Sequence, residues 1–97
     1  MAYKVKINKK ALQDLENISG YINDIFGNIV ANDFRTKILD SISLLQDFPL
    51  IGSIQNKEKG FRGFVIHRHT IVLYKFVNQR ITVLRFFDNR QNLDKIV

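Results

Sequence analysis

Two histidines and four arginines are the residues of this chain from which RNA-cleaving chemistry could be built. His67 and His69 stand two apart, with Arg62 ahead of them and Arg68 between them, and Arg85 and Arg90 follow further along the chain. Cleavage of RNA through its own 2′-hydroxyl needs no metal. It needs a base for the hydroxyl proton, cations for the phosphorane charge and an acid for the leaving oxygen. His67 or His69 has the chemistry of the acid or base, and Arg62, Arg68, Arg85 and Arg90 that of the cations. The plainer alternative is a pair of polar histidines at a strand turn and arginines that are solvated or touch a protein partner. Two histidines sharing a strand face would need a third ligand and a supporting shell to hold zinc. The chain has no phosphate loop, no GxGxxG and no paired-histidine metal motif, so no metal or cofactor is expected.

These residues lie in one stretch, Gly60 to Asn92, which reads as three strands and a basic tail. Phe61 to Ile66 and Thr70 to Val77 are rich in β-branched and aromatic residues, with a turn near His67-Arg68. Asn78-Gln79 forms a tight hairpin turn without the usual glycine, and Arg80 to Phe87 completes the meander. Tyr74 and Phe76 share one face of their strand; Leu73, Lys75 and Val77 share the other. Apolar residues on both faces mean that neither is fully solvated.

The segments ahead of this stretch supply a scaffold. Tyr3 to Ile7 alternates apolar and basic residues as a half-buried strand. Ala11, Leu15, Ile18, Ile22 and Ile25 then recur at helical spacing, with Asn8 at the cap position. Gly20 interrupts this helix at a cost of about 1 kcal/mol relative to alanine and raises the question of a close neighbour. Gly27 suits a left-handed stop and Asn28 a second cap. Ala31, Phe34, Ile38, Ile42 and Leu45 form the stripe of a second helix, bounded by Pro49. So short a link between two amphipathic helices implies an antiparallel hairpin. Pro49, Gly52 and the polar run Gln55 to Gly60 read as a surface loop. The order is β-α-α-β-β-β: an α+β domain with the helical hairpin on one face of a small antiparallel sheet and the other face at least partly open.

Ninety-seven residues make a single domain, residues 1–97, with one modest core. There are no cysteines and no apolar run long enough to span a membrane. The N-terminus lacks the apolar segment of a signal peptide. The expectation is a cytoplasmic protein with no membrane partner. The net charge of +6 is unevenly placed. Residues 1–52 carry six basic and six acidic residues, and residues 53–97 carry nine basic and three acidic. A field of this kind favours an anionic partner.

Five stretches together resemble the RelE/ParE superfamily, the toxins of bacterial toxin–antitoxin pairs. Ala11-Leu12-Gln13-Asp14-Leu15-Glu16-Asn17-Ile18 with Tyr21-Ile22 is similar to the family's first helix, A-x-x-D-L-x-x-I-x-x-Y-I. Leu44 to Gly52 is similar to the helix exit, L-x-x-F-P-x-x-G. Gly60-Phe61-Arg62 is similar to the G-[YF]-R that opens the sheet. Ile71 to Lys75 is similar to the central I-x-x-Y-[RK] strand, and Ile81 to Arg90 to the closing I-x-I-x-R-x-L-H-x-R segment. Each is degenerate alone; five in order and spacing are fairly specific.

The resemblance implies a growth-inhibiting toxin neutralised by a cognate antitoxin, of a kind associated with plasmid stabilisation. Its partner-binding surface would include Arg62, Arg68, Tyr74, Phe76, Arg85, Phe87 and Arg90. RelE-type members are ribosome-dependent mRNA interferases; ParE-type members poison DNA gyrase. The long hairpin with F-P-x-x-G resembles the ParE branch. RelE-type nucleases often carry an arginine three residues ahead of the strand tyrosine, where this chain has Ile71. The histidine of the closing segment is replaced by Asp88, and a carboxylate ionised at neutral pH is a poor general acid. Asp88 also departs from the ParE pattern. The resemblance thus implies a ParE-like inhibitor of gyrase that acts by binding. The alternatives are a RelE-like endoribonuclease using Arg62, Arg85, Arg90, His67 and His69 on ribosome-bound mRNA, and a degenerate toxin that only binds antitoxin.

Overall fold

The computed structural model describes residues 2–67 and 70–88. Arg68, His69 and residues 89–97, including Arg90, lie outside the described residues. Seven elements follow in order: β1 (Val5–Ile7), α1 (Lys9–Phe26), α2 (Asn28–Asp47), β2 (Ser53–Asn56), β3 (Phe61–His67), β4 (Thr70–Val77) and β5 (Arg80–Asp88). Two helices pack on one face of a five-stranded sheet ordered β1-β5-β4-β3-β2. The expected α+β architecture holds, with two differences. The sheet is mixed, because β1 runs parallel to β5. The loop after α2 contains an extra edge strand, β2, paired antiparallel to β3 across a register shift.

Gly27 makes the tight hairpin possible. At φ +89° it occupies the left-handed region that side chains disfavour. Its N–H donates to Asn23 O at 3.0 Å, closing α1, and its carbonyl accepts from Ala31 N–H at 3.2 Å, opening α2. One residue therefore serves as stop and start, and Asn28 is the first residue of α2 rather than its cap. Asn8 occupies the cap position of α1 but makes no side-chain cap bond. Its N–H donates to Val83 O at 3.0 Å instead, which ties the start of the helix to β5.

The apolar stripes meet the sheet as their spacing implies, except at Ile25, which is 59% exposed and takes no part in the core. Ala11, Ile22, Ala31, Phe34, Ile38 and Leu45 are buried with Val72, Tyr74, Ile81, Val83 and Phe86. Leu15, Ile18 and Ile42, on the flanks of the stripes, are partly buried against this core. Gly20 does not serve the packing of the hairpin, since a Cβ there would meet nothing within 4 Å. The Asn78-Gln79 turn has φ of +53° and +63°, the two positive values of a type I′ hairpin. None of the helices among the described residues is long and apolar enough to cross a membrane.

Candidate functional site

The stretches that looked like carriers of chemistry lead to two polar junctions, one centred on the buried Tyr74 and one part-buried. The first lies at the exit of α2. Tyr74, fully buried on β4, donates its hydroxyl to Pro49 O at 2.8 Å and accepts from Gly52 N–H at 2.9 Å. Gly52 cannot carry a side chain: a Cβ would stand 2.8 Å from Tyr74 Cε1 and 2.9 Å from its hydroxyl oxygen. Arg62, opposite Tyr74 on β3, donates Nη1–H to Gly52 O at 2.8 Å and to Leu50 O at 3.3 Å. Burial raises the Tyr74 phenol pKa; the Gly52 N–H and the nearby Arg62 charge oppose that rise. The phenol is neutral at physiological pH and is held as a structural clamp.

The second junction joins α1 to β5. Arg85 Nε and Nη2 donate to the two carboxylate oxygens of Asp14 at 2.7 and 3.1 Å, a two-pronged ion pair. The same carboxylate accepts the backbone N–H of Phe86 at 3.1 Å. The Arg85 pKa is raised, first by the hydrogen bond to Asp14, with burial opposing and the Asp14 charge adding to it. A guanidinium committed in this way is a poor receptor for a second anion.

The third cation or acid–base candidate, His67, is buried at the end of β3. Its ring stands edge-on to Phe34 with centroids 5.3 Å apart, and its Nε2 lies 3.7 Å from Asp33 Oδ2. Arg62, Arg85 and His67 thus attach to the α2 exit, to α1 and to α2 respectively. Their side chains are each engaged by a different part of the fold. Arg68, His69 and Arg90 lie outside the described residues. No group of three or more His, Cys, Asp or Glu residues suited to a metal occurs among the described residues.

The apolar partner-binding expectations need correction. Tyr74 is 0% exposed because its strand face turns toward the helices. Phe76 on the same face is partly buried and stacks edge-on to Tyr3, with centroids 5.1 Å apart. Phe87 is also buried, on the opposite face, in a small cluster with Ile71 and Leu73. The middle of that second face is therefore not the open aromatic surface expected. Ile71, where a nuclease would place an arginine, is part of this apolar cluster. The Asp88 backbone pairs with Thr70 at the end of β5; its side chain is outside the described set.

Asp14 is the residue that sequence reasoning passed over. It stands three residues after the buried Ala11 and four before Ile18, at the spacing of the buried stripe itself. A carboxylate on that face requires a cation, and that requirement was the available signal.

A family model described as the ParE toxin of the type II toxin–antitoxin system, parDE, matches residues 5–93. No curated protein matches the sequence significantly. Among solved structures, a chromosomal ParDE toxin–antitoxin system from P. aeruginosa superposes with a TM-score of 0.76 at 20% identity, covering 90% of this chain and 96% of that one. The DinJ-YafQ toxin–antitoxin complex of E. coli gives 0.62 at 13% identity, covering 93% and 96%. The RelBE2 toxin–antitoxin complex of Mycobacterium tuberculosis gives 0.59 at 16% identity, covering 91% and 99%. At these identities the likeness is one of fold, shared by both branches. The family match spans nearly the whole sequence, and by it the chain belongs to the ParE toxins of type II toxin–antitoxin systems.

Proposed function

We propose that this toxin acts in the cytoplasm by binding and poisoning DNA gyrase, and that a cognate antitoxin neutralises it. The observation that carries the choice of binding over catalysis is the commitment of Arg62 and Arg85 to internal partners. Metal-independent RNA cleavage needs free cations around the scissile phosphate. The two described arginines that the nuclease reading requires are held by backbone carbonyls and by Asp14. Tyr74 is buried and His67 is packed on Phe34, so neither serves as a proton donor to a bound strand. Membership of the ParE branch supports gyrase as the target.

The sheet side of the molecule suits an acidic antitoxin segment. Apart from Arg62 and Arg85, which are held internally, the described residues between 53 and 87 carry Lys57, Lys59, Lys75 and Arg80 against Glu58 alone. Exposed Val65 and Val77 offer apolar anchors on the same strands. A disordered acidic segment with apolar side chains would fold along such a surface as it binds. The test is induction without antitoxin, comparing the DNA damage response with mRNA cleavage and translation arrest. A damage response with intact mRNA supports gyrase poisoning; cleaved mRNA without DNA damage rejects it.

A further inference from the structure

We propose that the outer flank and tip of the helical hairpin form a second docking surface, for an amphipathic segment of the target protein bearing apolar and Lys/Arg side chains. The identity of that target rests on the gyrase reading; the surface does not.

Three observations meet on α1. First, large apolar residues are exposed where the hairpin turns: Tyr21 59%, Ile25 59%, Phe26 60% and Ile29 87%. Tyr21 and Ile25 are one turn apart and share a face. Both are exposed and neither belongs to the buried core, so the fold does not account for them. Second, this region is acidic while the strand segments after residue 53 are basic. Residues 11–34 contain Asp14, Glu16, Asp24 and Asp33 and no lysine or arginine. Asp14 is used by Arg85, and Asp33 lies near Lys37 and His67. Glu16 and Asp24 are exposed one turn on either side of Gly20, and Asp24 is one turn from Tyr21.

Third, Gly20 sits midway between Glu16 and Asp24, four residues from each. Glycine inside a helix costs stability relative to alanine, and the space above it is empty within this chain. The internal packing gives no reason for a glycine there. A bare patch between two carboxylates allows another backbone to approach closely. Next to it a shallow cleft of about 200 Å³ is lined by Asn17, Ile18, Tyr21 and Thr70, which can receive one anchoring side chain.

The charge argument selects the occupant. The sheet side of this chain is basic and suits an acidic antitoxin segment. The hairpin flank has the opposite sign, so the same acidic segment would be repelled there. A basic, apolar segment fits it, and a toxin must meet a target as well as an antitoxin.

The experiment uses the full chain with purified gyrase and the cognate antitoxin. Two variants address different features: I25S/I29S removes the apolar tip, and G20Q fills the bare patch with a good helix former. Both change exposed positions, and thermal melting verifies the fold. The expectation is a loss of gyrase inhibition of about tenfold or more, the size of a disrupted binding hot spot, with antitoxin affinity unchanged. Inhibition equal to that of the unmodified chain overturns the proposal. So does a parallel loss of antitoxin affinity, which would make the antitoxin the occupant, or a dimer of the unmodified chain that the variants dissolve. If the unmodified chain leaves gyrase untouched, the gyrase reading falls by itself. Growth arrest on induction then decides the surface: variants that bind antitoxin yet no longer arrest growth uphold it, and variants that still arrest growth overturn it.

Discussion

Asp14 and Arg85, 71 residues apart in sequence, form a two-pronged ion pair with N···O distances of 2.7 and 3.1 Å that fastens the first helix to the last strand. The pair explains why an aspartate can occupy the buried stripe of α1. It also shows why an arginine that reads as catalytic from its position is architectural. Replacing Asp14 by alanine would leave the guanidinium and the Phe86 N–H without their acceptor. The expected loss of folding stability is about 1–3 kcal/mol, reduced from a fully buried case because Arg85 is part-exposed. A double-mutant cycle with R85A, measured by denaturant unfolding, should show the double variant losing less stability than the two single variants summed.

The Tyr74 clamp gives a second prediction. Y74F leaves Gly52 N–H and Pro49 O unpaired in a buried site and should cost about 1–3 kcal/mol. It should also change the alkaline limb of the stability profile. Burial holds the folded-state phenol pKa above its ordinary 10.0, so the folded chain keeps a proton that the unfolded chain gives up first. The contribution is fully present below pH 10 and falls as pH rises from the unfolded value through the folded one. Equilibrium unfolding of the two proteins across that window should show their stability difference shrinking above about pH 10.

Gly52 should be intolerant of even a methyl group. A Cβ would press on Tyr74 and come within 3.0 Å of the Gly63 backbone nitrogen. G52A should destabilise by about 1–3 kcal/mol through overpacking. On a domain of this size that lowers the melting temperature by about 4–8 °C per kcal/mol. An unchanged melting temperature would mean that the α2 exit can move away from β4.

The Asn78-Gln79 turn offers a stabilising change. Gln79 is held at φ +63° and exposed, a conformation that glycine adopts without steric cost. Q79G should raise stability by roughly 0.5–1 kcal/mol, the strain relieved less the extra entropy of an unfolded glycine. Differential scanning calorimetry reads the sign directly.

Much of the architecture is legible in the sequence because it depends on local period. The spacing from Ala11 to Ile25 and from Ala31 to Leu45 marks two helices, and Gly27 marks their junction. Other features depend on partners far along the chain. The three residues of β1 carry no sign of whether they pair parallel or antiparallel. β2 is so polar that Ser53 to Asn56 resembles a loop. The strand β4 is apolar on both faces, so alternation alone could not tell whether Tyr74 and Phe76 point to the helices or away. An irregular register between Leu73/Arg85 and Tyr74/Val83 further disturbs the alternation on β5. Arg62 and Arg85 look like free cations because their acceptors, the carbonyls of Leu50 and Gly52 and the carboxylate of Asp14, are fixed only by the fold. The five motif stretches are therefore a sound guide to the fold, whereas the partners of their arginines are set by contacts that no local pattern shows.

The charge division predicts how the antitoxin arrives. Association with the cognate antitoxin should slow by about tenfold or more between low and high salt, because the basic sheet steers an acidic segment. Dissociation, governed by apolar anchors, should change little. Stopped-flow mixing at several ionic strengths separates the two rates, and a salt-independent association rate would remove the sheet as the steering surface.

The most direct measurement of binding against catalysis places the antitoxin-free protein with purified gyrase, ATP and relaxed plasmid, and in parallel with ribosomes translating a defined mRNA. The account predicts that supercoiling stops, that gyrase-dependent broken DNA accumulates, that antitoxin reverses both effects, and that the mRNA stays whole. Cleaved mRNA beside an unaffected gyrase reaction would contradict it, and so would a protein that binds its antitoxin tightly and leaves both reactions untouched.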